Sequence, residues 1–159
     1  MPSLSRSAVE LTDAELVAPG ILARIVRYDI PEPTGGLLRD DHSYLVNMCL
    51  TPRPLNARGC YREHWGPHRF ERLGDIFIVP PGQSLVVRGE SGQQASLLCR
   101  LEATIVDSLI GQPLTWPDPQ LAATLDITAA RIRNLLFRMT EEVSHPGFAA
   151  SAMLNLLGQ

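Results

Sequence analysis

Short apolar runs separated by proline and glycine occupy most of residues 21–103 and predict a succession of β-strands. The interruptions are richest at 31–36 and 51–54, and the runs between them carry β-branched and aromatic residues. No helix-length amphipathic pattern interrupts the runs, and their spacing is typical of a sandwich or a small barrel. The predicted strands cover residues 21–30, 43–50, 58–65, 75–79, 85–88 and 95–101.

The pattern changes after residue 103, where helical periodicity replaces strand punctuation. Residues 103–110 predict a short helix that Gly111 ends, and residues 128–144 predict a longer one that stops before Pro146 and Gly147. The apolar stripe of the longer helix consists of Ile132, Leu135, Leu136, Met139 and Val143. The chain therefore divides into a loose N-terminal arm (1–20), a β region (21–103) and a helical segment (104–159).

That apolar stripe, with the apolar segment at 148–157, favours dimerisation. One β domain cannot cover every apolar face of two helices that follow its last strand. If one face packs on the strands, the other is available to a second copy of the chain. We therefore predict a homodimer formed through the C-terminal helices, with the five stripe residues as candidate interface positions.

The charge and the cysteines exclude several classes of protein. The net charge is −3 and the pI is near 5.8, so the chain lacks the basic surface that binding to DNA phosphates requires. Three separated cysteines form no C-x-x-C pair, which argues against a zinc ribbon. Neither a signal peptide nor a membrane-spanning segment is evident, and this predicts a cytoplasmic protein with no membrane partner.

The segment from Gly74 to Gly82 reads G-D-I-F-I-V-P-P-G and resembles the G-D-x-x-x-x-P-x-G signature of cupin barrels. In metal-binding cupins a histidine follows the last glycine after two intervening residues, and that position here is Leu85. The other cupin ligand cluster needs a His-x-His pair followed by Glu, whereas this chain offers His64, His68 and Glu71 with different spacing. The resemblance therefore implies a cupin-like double-stranded β-helix barrel without a metal or another cofactor.

A wider resemblance covers residue 21 to the end of the chain. Residues 70–89 look like the barrel segment of AraC-type transcription regulators. The sequence L-L-x-R-M-x-E-E at 135–142, followed by H-P-G-F at 145–148, resembles the helices that join the sensor barrel to the DNA-binding part in one subgroup of that family. The resemblance implies a ligand-sensing and dimerisation domain that is not an enzyme. DNA contact would come only from a helix-turn-helix domain that this chain does not contain.

Several side chains could contact an effector in the barrel, or could instead belong to the core or the surface. Because strand residues alternate between faces, either Tyr44 or Asn47 should point inward. An inward Arg62 would require an anionic partner. The candidate effector contacts are Tyr44, Met48, Tyr61, Arg62, His64, Trp65, His68 and Phe77.

Two other functions compete with the sensor. A stand-alone cupin enzyme, such as a metal-dependent dioxygenase or isomerase, is the main alternative, and Leu85 argues against it. No nucleophile elbow, phosphate loop or catalytic carboxylate pair is found. The third possibility is a dimerisation module whose barrel interior is filled by its own side chains, with no room for a ligand.

Overall fold

The computed structural model describes residues 9–30, 34–53, 56–89, 92–112 and 114–145. The apolar segment at 148–157 and the Pro-Gly-Phe motif lie outside the described residues. The strands are β1 (Val9–Ala18), β2 (Ile21–Ile30), β3 (Thr34–Leu38), β4 (Ser43–Cys49), β5 (Arg58–Cys60), β6 (Glu71–Arg72), β7 (Ile76–Val79), β8 (Leu85–Gly89) and β9 (Gly92–Glu102). The helices are α1 (Arg62–Trp65), α2 (Ala103–Ile110), α3 (Asp118–Ala123) and α4 (Ala130–Ser144).

Two antiparallel sheets form a sandwich. The larger sheet has the strand order β1-β2-β9-β4-β7, and the smaller has the order β3-β8-β5-β6. Within the described part of the chain, no strand pairing joins the two sheets into a closed barrel. The predicted class, mainly β with C-terminal helices, is confirmed, and the sandwich is consistent with a cupin fold.

The expectation of a loose N-terminal arm is wrong for residues 9–18, which form β1 at the edge of the larger sheet. The strand pairs with β2 from Val9 opposite Asp29 to Ala18 opposite Ile21, with a register shift between Thr12 and Ala14. Of its apolar residues, Ala14 and Leu16 pack against the core on one face, whereas Leu11 and Val17 are exposed.

The predicted strand at 58–65 is also wrong beyond Cys60. The chain makes one helical turn, α1, and Gly66 caps its C-terminus with a φ of 80°. The backbone amides of His64 and Trp65 both donate to the carbonyl of Tyr61. Because α1 ends at Trp65, His64 and His68 do not share a helical face.

The segment after α3 covers the outer edge of β7. The amide of Ile78 donates to Thr124 O and the amide of Ile127 donates to Ile76 O, each at 2.9 Å. Leu121 and Leu125 are buried between the sheets with Tyr61, Phe77 and Leu85. The chain that follows the last strand therefore seals one side of the sandwich, where an unpaired edge would otherwise be exposed.

Helix α4 covers the outer face of the larger sheet. Its inward residues Leu136, Met139 and Val143 are buried, and Ile132 packs against the same cluster. The strand residues of this cluster are Ala23, Val46, Met48, Ile76, Leu97 and Cys99. Four of the five candidate interface residues thus belong to the chain's own core. Leu135 is 41% exposed, and Phe137 on the outer side is 45% exposed.

The helices give no indication of a membrane span. The longest described helix, α4, has 15 residues, and none of the described helices is both long and apolar enough to cross a bilayer.

Gly74 is expected to be intolerant of a side chain. A Cβ at this position would lie 2.0 Å from Asp126 Oδ1, so Gly74→Ala should lower the free energy of unfolding by about 1–3 kcal/mol in urea titrations. Gly36→Ala is the matched control, because its new Cβ meets only Val87 Cγ2 at 3.9 Å. Adding Asp126→Ala should restore most of the loss, and failure of this rescue would contradict the steric explanation.

The neighbouring residues Leu135 and Leu136 should respond differently to a charge. Leu136→Asp places a carboxylate in the core and should cost more than about 3 kcal/mol of stability. Leu135→Asp should change stability by less than about 0.5 kcal/mol and give a folded monomer in light scattering. An unmodified chain that is monomeric at concentrations on the order of tens of micromolar would contradict the predicted dimer.

Candidate functional site

A cleft of about 240 Å³ lies on the inner face of the larger sheet. The larger sheet supplies almost all of its wall, and Leu38 of β3 is the residue contributed by the smaller sheet. The lining residues are Glu10, Leu22, Arg24, Tyr28, Leu38, Leu45, Val46, Asn47, Phe77, Leu98, Cys99 and Arg100. Most of the wall is apolar, and a small number of polar groups are placed among the hydrocarbon side chains, as in most small-molecule sites.

Successive residues of strand β4 point to opposite faces of the larger sheet, and one of these faces meets the cleft. Leu45 and Asn47 line the cleft, whereas Met48 packs beneath α4. Of the two residues that the alternation leaves open, Asn47 and not Tyr44 therefore points inward. Tyr44 is buried on the other face, where its ring packs edge-on against Trp116 with centroids 6.1 Å apart. The bulkier Tyr44 and Met48 lie on the helix-covered face, where Met48 packs in the apolar cluster beneath α4.

The register between neighbouring strands places the residues that line the cleft side by side across the larger sheet. Leu98 on β9 lies opposite Asn47 on one side and opposite Arg24 on the other, and Phe77 lies opposite Asn47. Neighbouring strands are about 4.8 Å apart, so Asn47 and Arg24 flank Leu98 at a separation of roughly 10 Å between their backbones. The cleft floor is thus an apolar centre with a polar group at each side.

Arg53 lies beside Asn47 and holds it in place. Its Nη2 donates to Asn47 Oδ1 at 2.9 Å and to Asp75 O at 3.2 Å, and its Nε donates to Gly74 O at 3.0 Å. The guanidinium also lies over the Phe77 ring, 5.2 Å from its centroid. Desolvation by burial lowers the pKa of Arg53. None of the described carboxylates lies within ion-pair distance of this guanidinium, so its hydrogen-bond partners are neutral.

The remaining polar groups of the cleft include one carboxylate. Glu10 Oε1 pairs with Arg24 Nη1 at 3.3 Å, and Arg100 Nε pairs with Asp40 Oδ2 at 3.3 Å. Burial raises the pKa of Tyr28 to about 12, and the charge of Glu10 acts in the same direction. The Tyr28 phenol is therefore neutral over the whole physiological range.

The predicted effector contacts separate into three groups. Phe77 lines the cleft. Tyr44 and Met48 are buried on the helix-covered face, and Tyr61 and Trp65 belong to the core between the sheets, where their rings pack edge-on at 5.3 Å. Arg62, His64 and His68 are exposed outside the cleft.

Arg62 is exposed to solvent and does not point into the cleft, so it needs no buried anionic partner. His64 Nε2 instead makes a hydrogen bond with Gln83 Oε1 at 2.7 Å. The polar cleft residues absent from the predicted contacts are Glu10, Arg24, Tyr28 and Arg100, and Arg53 behind Asn47 is absent as well. Arg24 and Tyr28 share the parity of Leu22 in β2, and this alternation is the signal that could have found them.

Leu85 is fully buried in the core between the sheets. Among the residues that the structure describes, no three histidine, cysteine, aspartate or glutamate side chains converge as metal ligands would. The absence of a metal and of any other cofactor stays a prediction, for which elemental analysis is the test.

Comparisons with known proteins give structural similarity alone. No protein family matches the sequence, and no curated protein matches it either. The Schizosaccharomyces pombe Cnp3 cupin domain is 14% identical, with 65% of this chain and 72% of that chain covered and a TM-score of 0.44. A Cupin 2 conserved barrel domain protein from Salinispora arenicola is 20% identical, with 65% and 82% covered and a TM-score of 0.40.

The DMSP lyase DddQ from Ruegeria pomeroyi is 13% identical, with 64% of this chain and 50% of that chain covered and a TM-score of 0.46. All three TM-scores lie below 0.5, so these similarities carry no argument about activity or ligand.

The three tyrosines predict a loss of stability at alkaline pH. Burial raises the pKa of Tyr28 and Tyr61 from 10.0 to about 12, and it raises the pKa of Tyr44 as well. Because the pKa of the buried phenol is higher in the folded chain than in the unfolded chain, the neutral phenol stabilises the fold. This stabilisation is complete below pH 10 and is lost as the pH rises towards 12.

We expect tyrosinate absorbance to appear in the folded chain only well above pH 10, and the free energy of unfolding to fall between about pH 10 and 12. Tyr28→Phe should reduce this fall, because one of the contributing phenols is removed. Tyrosinate absorbance with a midpoint near pH 10 for all three residues in the folded chain would contradict their burial.

Proposed function

We propose that this chain is the effector-sensing and dimerisation domain of an AraC-type transcription regulator. The observation that carries the proposal is the position of the cleft and of α4 on opposite faces of the same strands. Leu98 lines the cleft, and the next residue, Cys99, contacts Met139 of α4 with its Sγ 3.2 Å from Sδ. An effector bound in the cleft would therefore contact the same strands on which α4 packs.

The same relation holds on the neighbouring strand. Asn47 faces the cleft, whereas Met48 packs in the cluster beneath α4, and Val46 belongs to that cluster and also lines the cleft. A sheet is one backbone thick, and close-packed interiors transmit small displacements rather than absorbing them. If α4 can adopt two positions on the sheet, a ligand that binds more tightly to the chain with α4 in one of them would shift the population towards that position. The difference between the two affinities sets the size of the shift.

The cleft also favours a sensor over a module whose interior is filled by its own side chains. Its volume of about 240 Å³ is below the roughly 300–1,000 Å³ of pockets for drug-sized ligands, so the effector should be a small molecule. Arg24, Asn47 and Tyr28 offer polar contacts that would orient such a molecule.

The helical end would transmit the signal. In this proposal the chain dimerises through its C-terminal helices, with the exposed Leu135 of α4 at or near the contact. Phe137, which is also exposed, is a further candidate. DNA would be bound by a helix-turn-helix domain outside this sequence, in agreement with the net charge of −3. A transcription regulator of this type acts in the cytoplasm.

Met139 provides the test of the coupling. The experiment measures hydrogen exchange of the α4 amides in the purified chain, with and without a panel of small acids, amides, amines and alcohols. Compounds that bind should change exchange in α4 in the unmodified chain. Met139→Ala should leave binding within about threefold and abolish the change in α4, because the contact with Cys99 is lost. Met139→Leu conserves the volume and should behave like the unmodified chain.

Three outcomes would contradict the proposal. The first is that no compound in the panel binds, and the second is that compounds bind without any change in α4. The third is about one equivalent of a transition metal in elemental analysis, together with turnover of a substrate, which would favour the stand-alone cupin enzyme.

A further inference from the structure

The orientation of the Asn47 amide is fixed by Arg53. A guanidinium has donors only, so the amide atom 2.9 Å from Arg53 Nη2 must be the oxygen. With Oδ1 engaged by Arg53, the Asn47 side chain presents its NH₂ group as the hydrogen-bonding group for a cleft ligand. A ligand at this position must therefore supply an acceptor.

Arg24 offers a second donor on the other side of Leu98. Its contacts with Glu10 Oε1 and Thr12 Oγ1, both at 3.3 Å, are made by Nη1 alone. None of the described residues bonds to Nε or Nη2, which form the edge of a guanidinium that binds a carboxylate with two parallel hydrogen bonds. The side chain of Arg24 is 29% exposed, so this edge is partly desolvated.

The charges that line the cleft also discriminate between ligands. Arg24 and Arg100 are positive, and Glu10 is the lining carboxylate. Glu10 is already paired with Arg24, so a cationic ligand would have to compete for it. Arg53 adds a positive charge behind Asn47, with neutral hydrogen-bond acceptors around it.

We propose that the cleft selects small organic anions with a short apolar body, in particular monocarboxylates. The carboxylate would accept hydrogen bonds from Asn47 Nδ2 and from the open edge of Arg24, and the apolar body would lie against Leu98, Leu45 and Phe77. Arg53 is a positioning residue, because it acts on the ligand through the orientation of Asn47. This inference rests on the proposed sensor function and specifies its ligand class.

The test compares hexanoate, hexanol, hexanamide and hexylammonium, which share the same chain length but differ in charge. Binding to the purified chain is measured by calorimetry at constant ionic strength. We expect hexanoate to bind about tenfold or more tightly than the other three compounds, because charge-assisted hydrogen bonds are stronger than neutral ones.

Two variants locate the binding. Asn47→Asp is isosteric, gives Arg53 a carboxylate partner and so should keep the fold, but it replaces the NH₂ donor with an oxygen that repels an anion. Arg24→Gln removes the open guanidinium edge. Each should weaken hexanoate binding about tenfold or more without strengthening hexanol binding. Arg27→Gln is the matched control on the same strand, because it breaks a surface ion pair with Asp13 and should leave hexanoate binding unchanged.

The orienting role of Arg53 has its own readout. Arg53→Gln releases Asn47 Oδ1, so the amide can rotate and offer its oxygen to the cleft. The preference for hexanoate over hexanamide should therefore fall in this variant. Arg53→Lys keeps a donor beside Oδ1 and should restore part of the preference.

Binding of hexanol or hexylammonium as tight as that of hexanoate would overturn this proposal and leave the sensor function intact. Unchanged hexanoate binding by Asn47→Asp and Arg24→Gln would also overturn it. Binding of none of the four compounds would also overturn this ligand class, and the wider panel of small molecules would then decide the sensor function separately. If Asn47→Asp does not fold, as judged by circular dichroism, the comparison of Arg24→Gln with Arg27→Gln decides the outcome.

Discussion

The larger sheet has to be covered on both faces, and the rest of the structure depends on how that is done. One face packs against α4 through an apolar cluster that includes Val46, Met48 and Cys99. The other face turns towards the smaller sheet, and the two sheets meet in a second apolar core on only one side of the sandwich. The cleft occupies the part of the inner face that this second core does not fill. Because side chains alternate between faces, each strand contributes to both environments.

The elements that the sequence predicts well are those in which local pattern and tertiary environment agree. Strand β2 has the predicted bounds, and α2 ends at Gly111, which adopts a φ of 90°. The sequence of β3 predicts an interruption rather than a strand, because Gly35 and Gly36 are typical of a turn. It is a strand because it pairs with β8 at the edge of the smaller sheet. That pairing partner lies about 50 residues away, so no local pattern could reveal it.

The candidate site was less predictable than the fold. The alternation in β4 narrows the inward residue to Tyr44 or Asn47, but it carries no information about which face a helix from the end of the chain will cover. Polar residues such as Arg24 look like solvent-facing positions in a sequence, because a charge is usually exposed. Arg53 is harder still to find, since it lies after β4 in a segment that the sequence shows only as a proline-rich turn. Its importance comes from contacts with Asn47 and with the Gly74 and Asp75 carbonyls.

The backbone pairing between β7 and the residues after α3 has a consequence for where the folding unit ends. A boundary at residue 103 would remove Thr124, whose hydroxyl lies 2.6 Å from the Tyr61 hydroxyl, and would leave that buried phenol with a single acceptor, Ile78 O. It would also remove Leu121 and Leu125 from the core between the sheets. During synthesis the sandwich therefore cannot complete its core when its last strand leaves the ribosome. The core can form only after about 25 further residues have also left the ribosome, and until then the apolar side of β7 is exposed to other chains.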